Sequence, residues 1–421
     1  MREMKESHIP FCENIPINWS EIPNKYIFSC HSTKVGDKSS EYQLLSLTTS
    51  GVKEKSTTAS GGKVPTSYDG YQTVEIGDMI FCLFDLDCSA VFSGLSPYNG
   101  MITSAYDVLR ANPNRADNHF LEYWFQYVFS NRYYKMFSKN IRYTVTGEMF
   151  NSIYTPIPPI EEQKKIGSYL DKLCKKVDAL IANQEAQIEK LKAYKQSLIT
   201  EVVTKGIDPN VPMKDSGVEW VKTIPNNWDM VYPKALFAQR KDRALPTDEQ
   251  LTASQQYGIM NQQEYMRVTG SRVVVVEKDF SILKHVSKGD FVISMRSFQG
   301  GLEYSEVEGC ISSAYVMLKP NSEKVFPKYY RWLLKSSLYI NSLQSTSDLI
   351  RDGQAMRFAN FIKIWLPCPP FEEQQQIASY LDDVCPKIDS LIAIKQSKIE
   401  KLNQYKRSLI YEYVTGKKEV M

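Results

Sequence analysis

The chain contains one of its own segments twice. Pro158-Pro159-Ile160-Glu161-Glu162-Gln163 returns 211 positions later as Pro369-Pro370-Phe371-Glu372-Glu373-Gln374. The alignment continues without a gap. Ser168-Tyr169-Leu170-Asp171 becomes Ser379-Tyr380-Leu381-Asp382, and Ile188-Glu189-Lys190-Leu191 becomes Ile399-Glu400-Lys401-Leu402. Residues 158–204 and 369–415 share 28 identities in 47 positions. A period this long is no solenoid repeat. It marks a duplicated half, so one chain imitates a two-fold dimer.

Each repeat has a helical part. Pro156-Ile157-Pro158-Pro159 and Pro367-Cys368-Pro369-Pro370 stop the preceding element. Apolar residues then recur at 166, 170, 173, 177, 180, 188, 191, 198 and 202, and in the second copy at 377, 381, 384, 388, 391, 399, 402 and 409. Steps of three and four are coiled-coil spacing. The polar residues Gln184 and Lys395 interrupt the stripe with a four-four step, which reads as a stutter. A helix over 161–204 is about 66 Å long. A narrow apolar stripe on so long a helix wants a partner, and the other copy is the natural one. The two helices are expected to pair antiparallel, with Ile166, Leu170 and Leu173 against the far end of the second helix, Leu402 and Leu409. The alternative is two surface helices, each packed on its own domain. Pro386 stands where the first copy has Lys175, and is expected to kink or break the second helix.

The part before each helix reads as a globular α+β domain of about 150 residues. Landmarks survive between the copies. Ile15-Pro16-Ile17-Asn18-Trp19 matches Ile224-Pro225-Asn226-Asn227-Trp228, and Gly77-Asp78 matches Gly289-Asp290. Ser104-Ala105-Tyr106 matches Ser313-Ala314-Tyr315. Gly-Asp before an apolar run is a tight turn entering a strand. Strands are expected at Val273–Val276 and Phe291–Ser294, and aromatic helices at Phe120–Ser130 and Lys328–Ser337. The boundaries read as domain 1 over 1–157, a helical region over 158–214, domain 2 over 215–366 and a second helical region over 367–421.

Charge excludes little. The 51 Lys+Arg against 48 Asp+Glu leave a net charge of +3, and no segment is a basic tail. Any nucleic-acid-binding face would have to come from folding scattered charges together. No apolar run approaches the roughly 18 residues that span a bilayer, and the charged start Met1–Ser7 does not read as a signal peptide. The eight cysteines form no CxxC and read as free thiols of a reducing cytoplasm. The four histidines stand apart, so no metal site is expected.

The doubled set of Ile-Pro-x-x-Trp, the Gly-Asp strand, Ser-Ala-Tyr, and Pro-x-Pro-Pro-x-Glu-Glu-Gln leading into a Tyr-Leu-Asp helix resembles the specificity subunit of type I restriction–modification systems. The resemblance covers nearly the whole chain. It implies two target-recognition domains separated by two helical regions. Each domain would read one half of a bipartite site in double-stranded DNA. The helices would set the spacing and dock two methyltransferase (modification) subunits, and restriction subunits would add ATP-dependent translocation and cleavage. The chain itself carries no Asn/Asp-Pro-Pro-Tyr/Phe methyltransferase motif and no GxxxxGK[ST]. It reads as non-catalytic and without a cofactor. A coiled-coil scaffold with no DNA role is the competing class, but it leaves two different domains inside one repeated frame unexplained.

Candidate DNA contacts follow from residue type. In domain 1, Lys53, Lys55, Lys63, Tyr68 and Tyr71 lie in a Gly/Ser/Thr-rich stretch read as a loop. In domain 2, Arg240, Lys241 and Arg243 form a short basic run suited to phosphates, or simply a solvated face. Gln256, Arg296 and Gln299 carry the groups that pair with guanine and adenine edges. Arg142 and Arg351 align across the repeat and suit a common backbone contact, or internal salt bridges. The candidate helix and subunit interface is Ile166, Leu170, Ile188 and Leu191 with Ile377, Leu381, Ile399 and Leu402.

Overall fold

The computed structural model describes residues 2–30, 32–55, 67–89, 91–138, 143–276, 280–295, 297–346 and 356–420. The chain divides into two units, Met1–Glu185 with Gln396–Met421, and Ala186–Lys395. The cuts fall inside the two long helices. Each unit thus holds one globular region, the first half of the helix that follows it, and the far half of the other helix.

The first unit is built on β1 (Phe28–Cys30), β2 (Met79–Phe81), β3 (Ser93–Leu95) and β4 (Asp107–Ala111), all antiparallel, in the order β1-β4-β2-β3. Helix α1 (Asn118–Ser130) covers one face, and α2 (Ile160–Lys205) follows. The second unit repeats the plan. Strands β5 (Phe237–Arg240), β6 (Phe291–Ile293), β7 (Glu303–Tyr304) and β8 (Val316–Pro320) take the order β5-β8-β6-β7. Helix α3 (Pro327–Leu333) stands where α1 does, and α4 (Phe371–Val414) follows. Sequences that diverge thus give one topology. The strand turns enter on Gly77 (φ 89°) and Gly289 (φ 94°), as the Gly-Asp pairs predict.

Period-two alternation gives each sheet two cores. Met79 and Phe81 face α1, whose Phe120, Trp124 and Phe125 share their cluster, while Ile80 faces a second cluster with Leu45, Leu47 and Val52. Phe291 and Ile293 face Tyr329, Tyr330 and Leu333, while Val292 joins Leu251, Ile259 and Met317. Each such buried side chain contributes about 1.5–3 kcal/mol.

The repeated motifs act as joints between domain and helix. Gln163 is fully buried. Its Oε1 accepts from the Asp117 N–H at 2.8 Å, and its Nε2 donates to the carbonyls of Arg115 (3.0 Å) and Pro158 (2.8 Å). Gln374 makes the same three bonds, with the Phe326 N–H (2.8 Å) and the carbonyls of Lys324 and Pro369 (both 2.9 Å). Each glutamine ties the entry of α1 or α3 to the start of the long helix. The second glutamate meets the Asn-Trp pair differently in the two copies: Trp19 Nε1 donates to Glu162 at 3.1 Å and Asn18 Nδ2 at 3.4 Å, whereas among the described residues only Asn227 Nδ2 donates to Glu373, at 3.0 Å.

Inside the units the long helices run antiparallel. Ile166, Leu170 and Cys174 share a core with Leu409, Ile410, Tyr413 and Val414. Ile377, Leu381 and Cys385 share one with Ile199, Val202 and Val203. These same residues also meet the globular cores, so each helix packs both on its domain and on its partner helix. Leu402 is half-buried and outside that core.

Three expectations about the helices change. Leu180 and Leu391 are each 49% exposed. The seam runs instead through 174, 177, 181, 184, 188, 191, 195 and 198, with 385, 388, 392, 395, 399, 402, 406 and 409 in the second copy. The residues that take this line are buried or half-buried. Ile181 and Ile392 replace the leucines, the three-four step is never broken, and no stutter exists. Helix α4 is continuous through Pro386, which it neither ends nor breaks. The proline is exposed, and the buried Leu381, Cys385 and Ile388 hold the helix on either side of it.

Elsewhere, Val273–Val276 forms no strand, because no neighbouring strand pairs with it among the described residues. The helix expected over Lys328–Ser337 is two helices, Pro327–Leu333 and Ser337–Ser345, the second starting on the Ser336 cap.

Candidate nucleic-acid interface

Beyond each sheet projects a hairpin, Leu45–Thr48 with Gly51–Glu54 in the first unit and Leu251–Ser254 with Gly258–Asn261 in the second. Their turns need Gly51 (φ 93°) and Gly258 (φ 71°). Each tip overlooks a cleft against the helices. In the first unit the cleft measures about 470 Å³ and includes Ser50, Gly51, Tyr123, Asp178 and Lys406. In the second it measures about 730 Å³ and includes Gln256, Tyr257, Arg331, Lys335, Lys195 and Asp389. The floors are repeat-equivalent: Lys406 Nζ lies 2.7 Å from Asp178, and Lys195 Nζ lies 2.7 Å from Asp389. The walls differ. Sequence reasoning missed these pairs, although all four residues are identical across the repeat.

A second repeated aspartate fastens each domain helix. Tyr123 donates to Asp171 at 2.9 Å, while Arg331 and Trp332 donate to Asp382 at 2.6 and 2.9 Å. In the second cleft Lys335 Nζ meets the buried Glu303 at 2.5 Å, and burial pushes that carboxyl above its usual range despite the ammonium.

Lys53 and Lys55 are exposed, but Lys53 lies on the Gly51–Glu54 strand and not in a loop, because Ser46 pairs with it across the hairpin. Tyr68 is half-buried, its ring 5.1 Å from Tyr71 and edge-on, over Val35, Leu44 and Met101. Lys241 and Arg243 are exposed, and Arg243 Nη1 donates to the Ile282 carbonyl at 3.3 Å. Gln256 is exposed at the hairpin tip. Gln299 is exposed on a short helix, Ser297–Gly300. A Cβ on Gly300 would sit 2.8 Å from the Gln255 side chain, so the short helix and the hairpin tip are in contact. Lys63, Arg142, Arg296 and Arg351 lie outside the described residues.

Arg240 is placed differently from its neighbours. Its Nε and Nη2 meet Asp290 at 2.6 and 3.1 Å, and Nη1 meets Asp242 at 2.8 Å. Those carboxylates hold its pKa up, and its charge is committed inside the protein. Asp290 is buried and also accepts from the Ser287 N–H. In the first unit the equivalent Asp78 is served by Arg110, from β4 rather than the strand equivalent to β5. The same buried turn is neutralised from two different strands.

Among the interface candidates, Ile166, Leu170, Ile188, Ile377 and Leu381 are buried, and Leu191, Ile399 and Leu402 are half-buried. His285 Nδ1 lies 2.9 Å from Asp248 and Nε2 lies 3.0 Å from Ser287. Ser287 follows His285 by two residues, and Glu308 lies 3.4 Å from the same Nε2, so the network ties the loop before Glu249 to the strand Lys284–Val286. Among the described residues no group of three or more His, Cys, Asp or Glu is placed to hold a metal, and no helix is long and apolar enough to cross a membrane.

The family model described as "Type I restriction modification DNA specificity domain" matches residues 95–190 and 225–404. The chain is 26% identical over 323 residues to a putative type I restriction enzyme MjaX specificity subunit of Methanocaldococcus jannaschii, covering 74% of this chain and 70% of that protein. It is 25% identical over 284 residues to the MjaVIII specificity subunit of the same organism, covering 65% and 64%. A solved chain from a study of complex assembly and conformational transition of the type I R-M system superposes with a TM-score of 0.68 at 16% identity, covering 96% of this chain and 99% of that one. Two copies of one domain plan, each followed by a helix with the same joints, agree with that match, and the chain belongs to the type I restriction–modification DNA specificity family.

Proposed function

We propose that this chain is the non-catalytic DNA-specificity subunit of a type I restriction–modification complex. Each globular domain reads one half of a bipartite target in double-stranded DNA. The paired helices set the separation of the half-sites and dock two modification subunits, which carry adenine methylation. Restriction subunits join as further partners, and the complex works in the cytoplasm. The observation that carries this reading is the equality of scaffold and inequality of surface. Sheet order, joint residues and inter-helix ion pairs repeat, whereas the exposed residues on equivalent hairpins do not. A repeated frame suits two identical partners and a fixed spacing. Different side chains on that frame suit two different half-sites.

The exposed cations Lys53, Lys55, Lys241 and Arg243 are assigned to phosphates, and Gln256 and Gln299 to base edges. Lys63, Arg142, Arg296 and Arg351 keep the roles their sequence positions suggest. Arg240 supports the domain from within. The test is binding of the assembled complex to duplexes over a salt series. Phosphate contact predicts a steep fall of affinity with salt and a residual preference for the cognate duplex. Equal affinity for all duplexes would favour a scaffold without DNA specificity.

A further inference from the structure

We propose that the extended segment Ser271–Val276 is an apolar DNA contact, with Val274 and Val275 seated on thymine methyl groups in the major groove of one half-site. This rests on the DNA-specificity reading above and adds what the second domain reads.

The helix Gln262–Thr269 ends on Gly270, a left-handed cap whose N–H donates to the Met266 carbonyl at 2.9 Å. The chain then runs through Ser271–Val276 without a strand partner among the described residues. Val274 is 86% exposed and Val275 45%. A run of four valines fits a sheet surface, yet here it finds no neighbouring strand among the described residues. The Val276 N–H donates to Gln250 Oε1 at 2.9 Å, and Gln250 Nε2 donates back to the Val276 carbonyl at 2.8 Å. The segment is anchored at both ends and bare in the middle.

The charges around it select the occupant. Arg272 and Lys241 are exposed and have no ion pair among the described residues. Arg267 is exposed, its carboxylate neighbour Glu264 at 3.9 Å. Arg243 is exposed on the loop that Gln250 closes, and that loop is tied to the chain beyond the valines by Ala244 N–H to Leu283 O at 3.2 Å. The acids of the same loop are used internally. Asp242 is held by Arg240 and Asp248 by His285, and the exposed Glu249 accepts from Asn261 Nδ2 at 2.6 Å. Cations left open around a bare apolar patch fit a polyanion that offers apolar groups. In duplex DNA the thymine C5-methyl is the apolar feature of the major-groove edge. The first domain has no valine run after its hairpin; Lys55-Ser56-Thr57-Thr58-Ala59-Ser60 follows there. The contact therefore belongs to one half-site.

The experiment uses the complex assembled with its modification subunits. Each thymine of the target is replaced singly by deoxyuridine, which removes only the methyl, and affinity is measured for the unaltered chain and for Val274→Ala and Val275→Ala. The expected result is a loss of about fourfold at one or two positions of a single half-site, the worth of one buried methyl. In the variants those positions should no longer distinguish thymine from deoxyuridine. Both valines are exposed, so the melting temperature should not move. If deoxyuridine weakens no position, or weakens the variants as much as the unaltered chain, the proposal is wrong. It is also wrong if Val274→Asp prevents assembly with the modification subunits, since the patch would then seat a protein. A complex that prefers no duplex at all would instead overturn the DNA-specificity reading.

Discussion

Lys406 reaches Asp178 at 2.7 Å, and the same two residues displaced by 211 positions meet reciprocally, Lys195 with Asp389 at 2.7 Å. Lysine of one copy pairs with aspartate of the other in both cases, the relation of an isologous dimer contact made within one chain. Both lysines sit on the apolar seam and both aspartates beside it. A polar group at a seam position sets register at some cost in stability.

A double-mutant cycle on Lys406→Ala and Asp178→Ala should return a coupling of about 0.5–1 kcal/mol, since the aspartate is half exposed. The cycle on Lys195 and Asp389 should match it. Urea unfolding measures both. Strictly additive effects in both cycles would show the pairs to be incidental.

Gln163→Leu and Gln374→Leu should each destabilise their unit by about 2–4 kcal/mol, because the change leaves one buried N–H and two carbonyls without their partner. Hydrogen exchange should accelerate at Asp117 or Phe326 first. A loss under about 0.5 kcal/mol would mean water replaces the amide.

Glu303 gives a pH signature. Burial raises its folded pKa above the ordinary 4.5, with Lys335 opposing. The folded state therefore binds a proton that the unfolded state has released. Its contribution to stability is complete below about pH 4 and is lost as pH rises through the raised value. Glu303→Gln removes this dependence. The difference in unfolding free energy between the two proteins should shift in favour of the variant as pH rises from 4 to 7. A difference that is flat or moves the other way would contradict the assignment.

The sequence disclosed the duplication, the α+β class, the Gly-Asp turns and the antiparallel helices, because each leaves a local or periodic mark. Leu180 was misplaced because three-four spacing counted from Leu173 admits either Leu180 or Ile181, and only packing decides. The break expected at Pro386 is absent because the proline lies on the exposed side of the helix and the buried Leu381, Cys385 and Ile388 hold the chain on either side of it. Arg240 looked like a surface cation. Its partner Asp290 is 50 residues away, and nothing in the run 240–243 announces it. The joints at Gln163 and Gln374 were quoted as a motif, but two of the three bonds in each reach residues 46 to 50 positions away. The unbroken valine run suggested a strand, and tertiary context withheld the neighbour a strand requires.

The seam also predicts how spacing is set. Seven residues inserted after Gln184 and seven after Lys395 keep the three-four repeat and lengthen both helices by about 10 Å. At about 3.4 Å per base pair along one strand, the methylated half-sites should move apart by about three base pairs, each half-site unchanged. A target with unchanged spacing and full methylation would refute the helices as the ruler.

The most direct test of the account is a map of methylated adenines in cells that make this chain with its modification subunits, compared with a chain whose residues 29–140 come from another family member. The account predicts a bipartite motif with two different half-sites and a fixed spacing, and replacement of one half-site alone in the exchanged chain. Two half-sites that change together, or a motif that does not respond to the exchange, would contradict it.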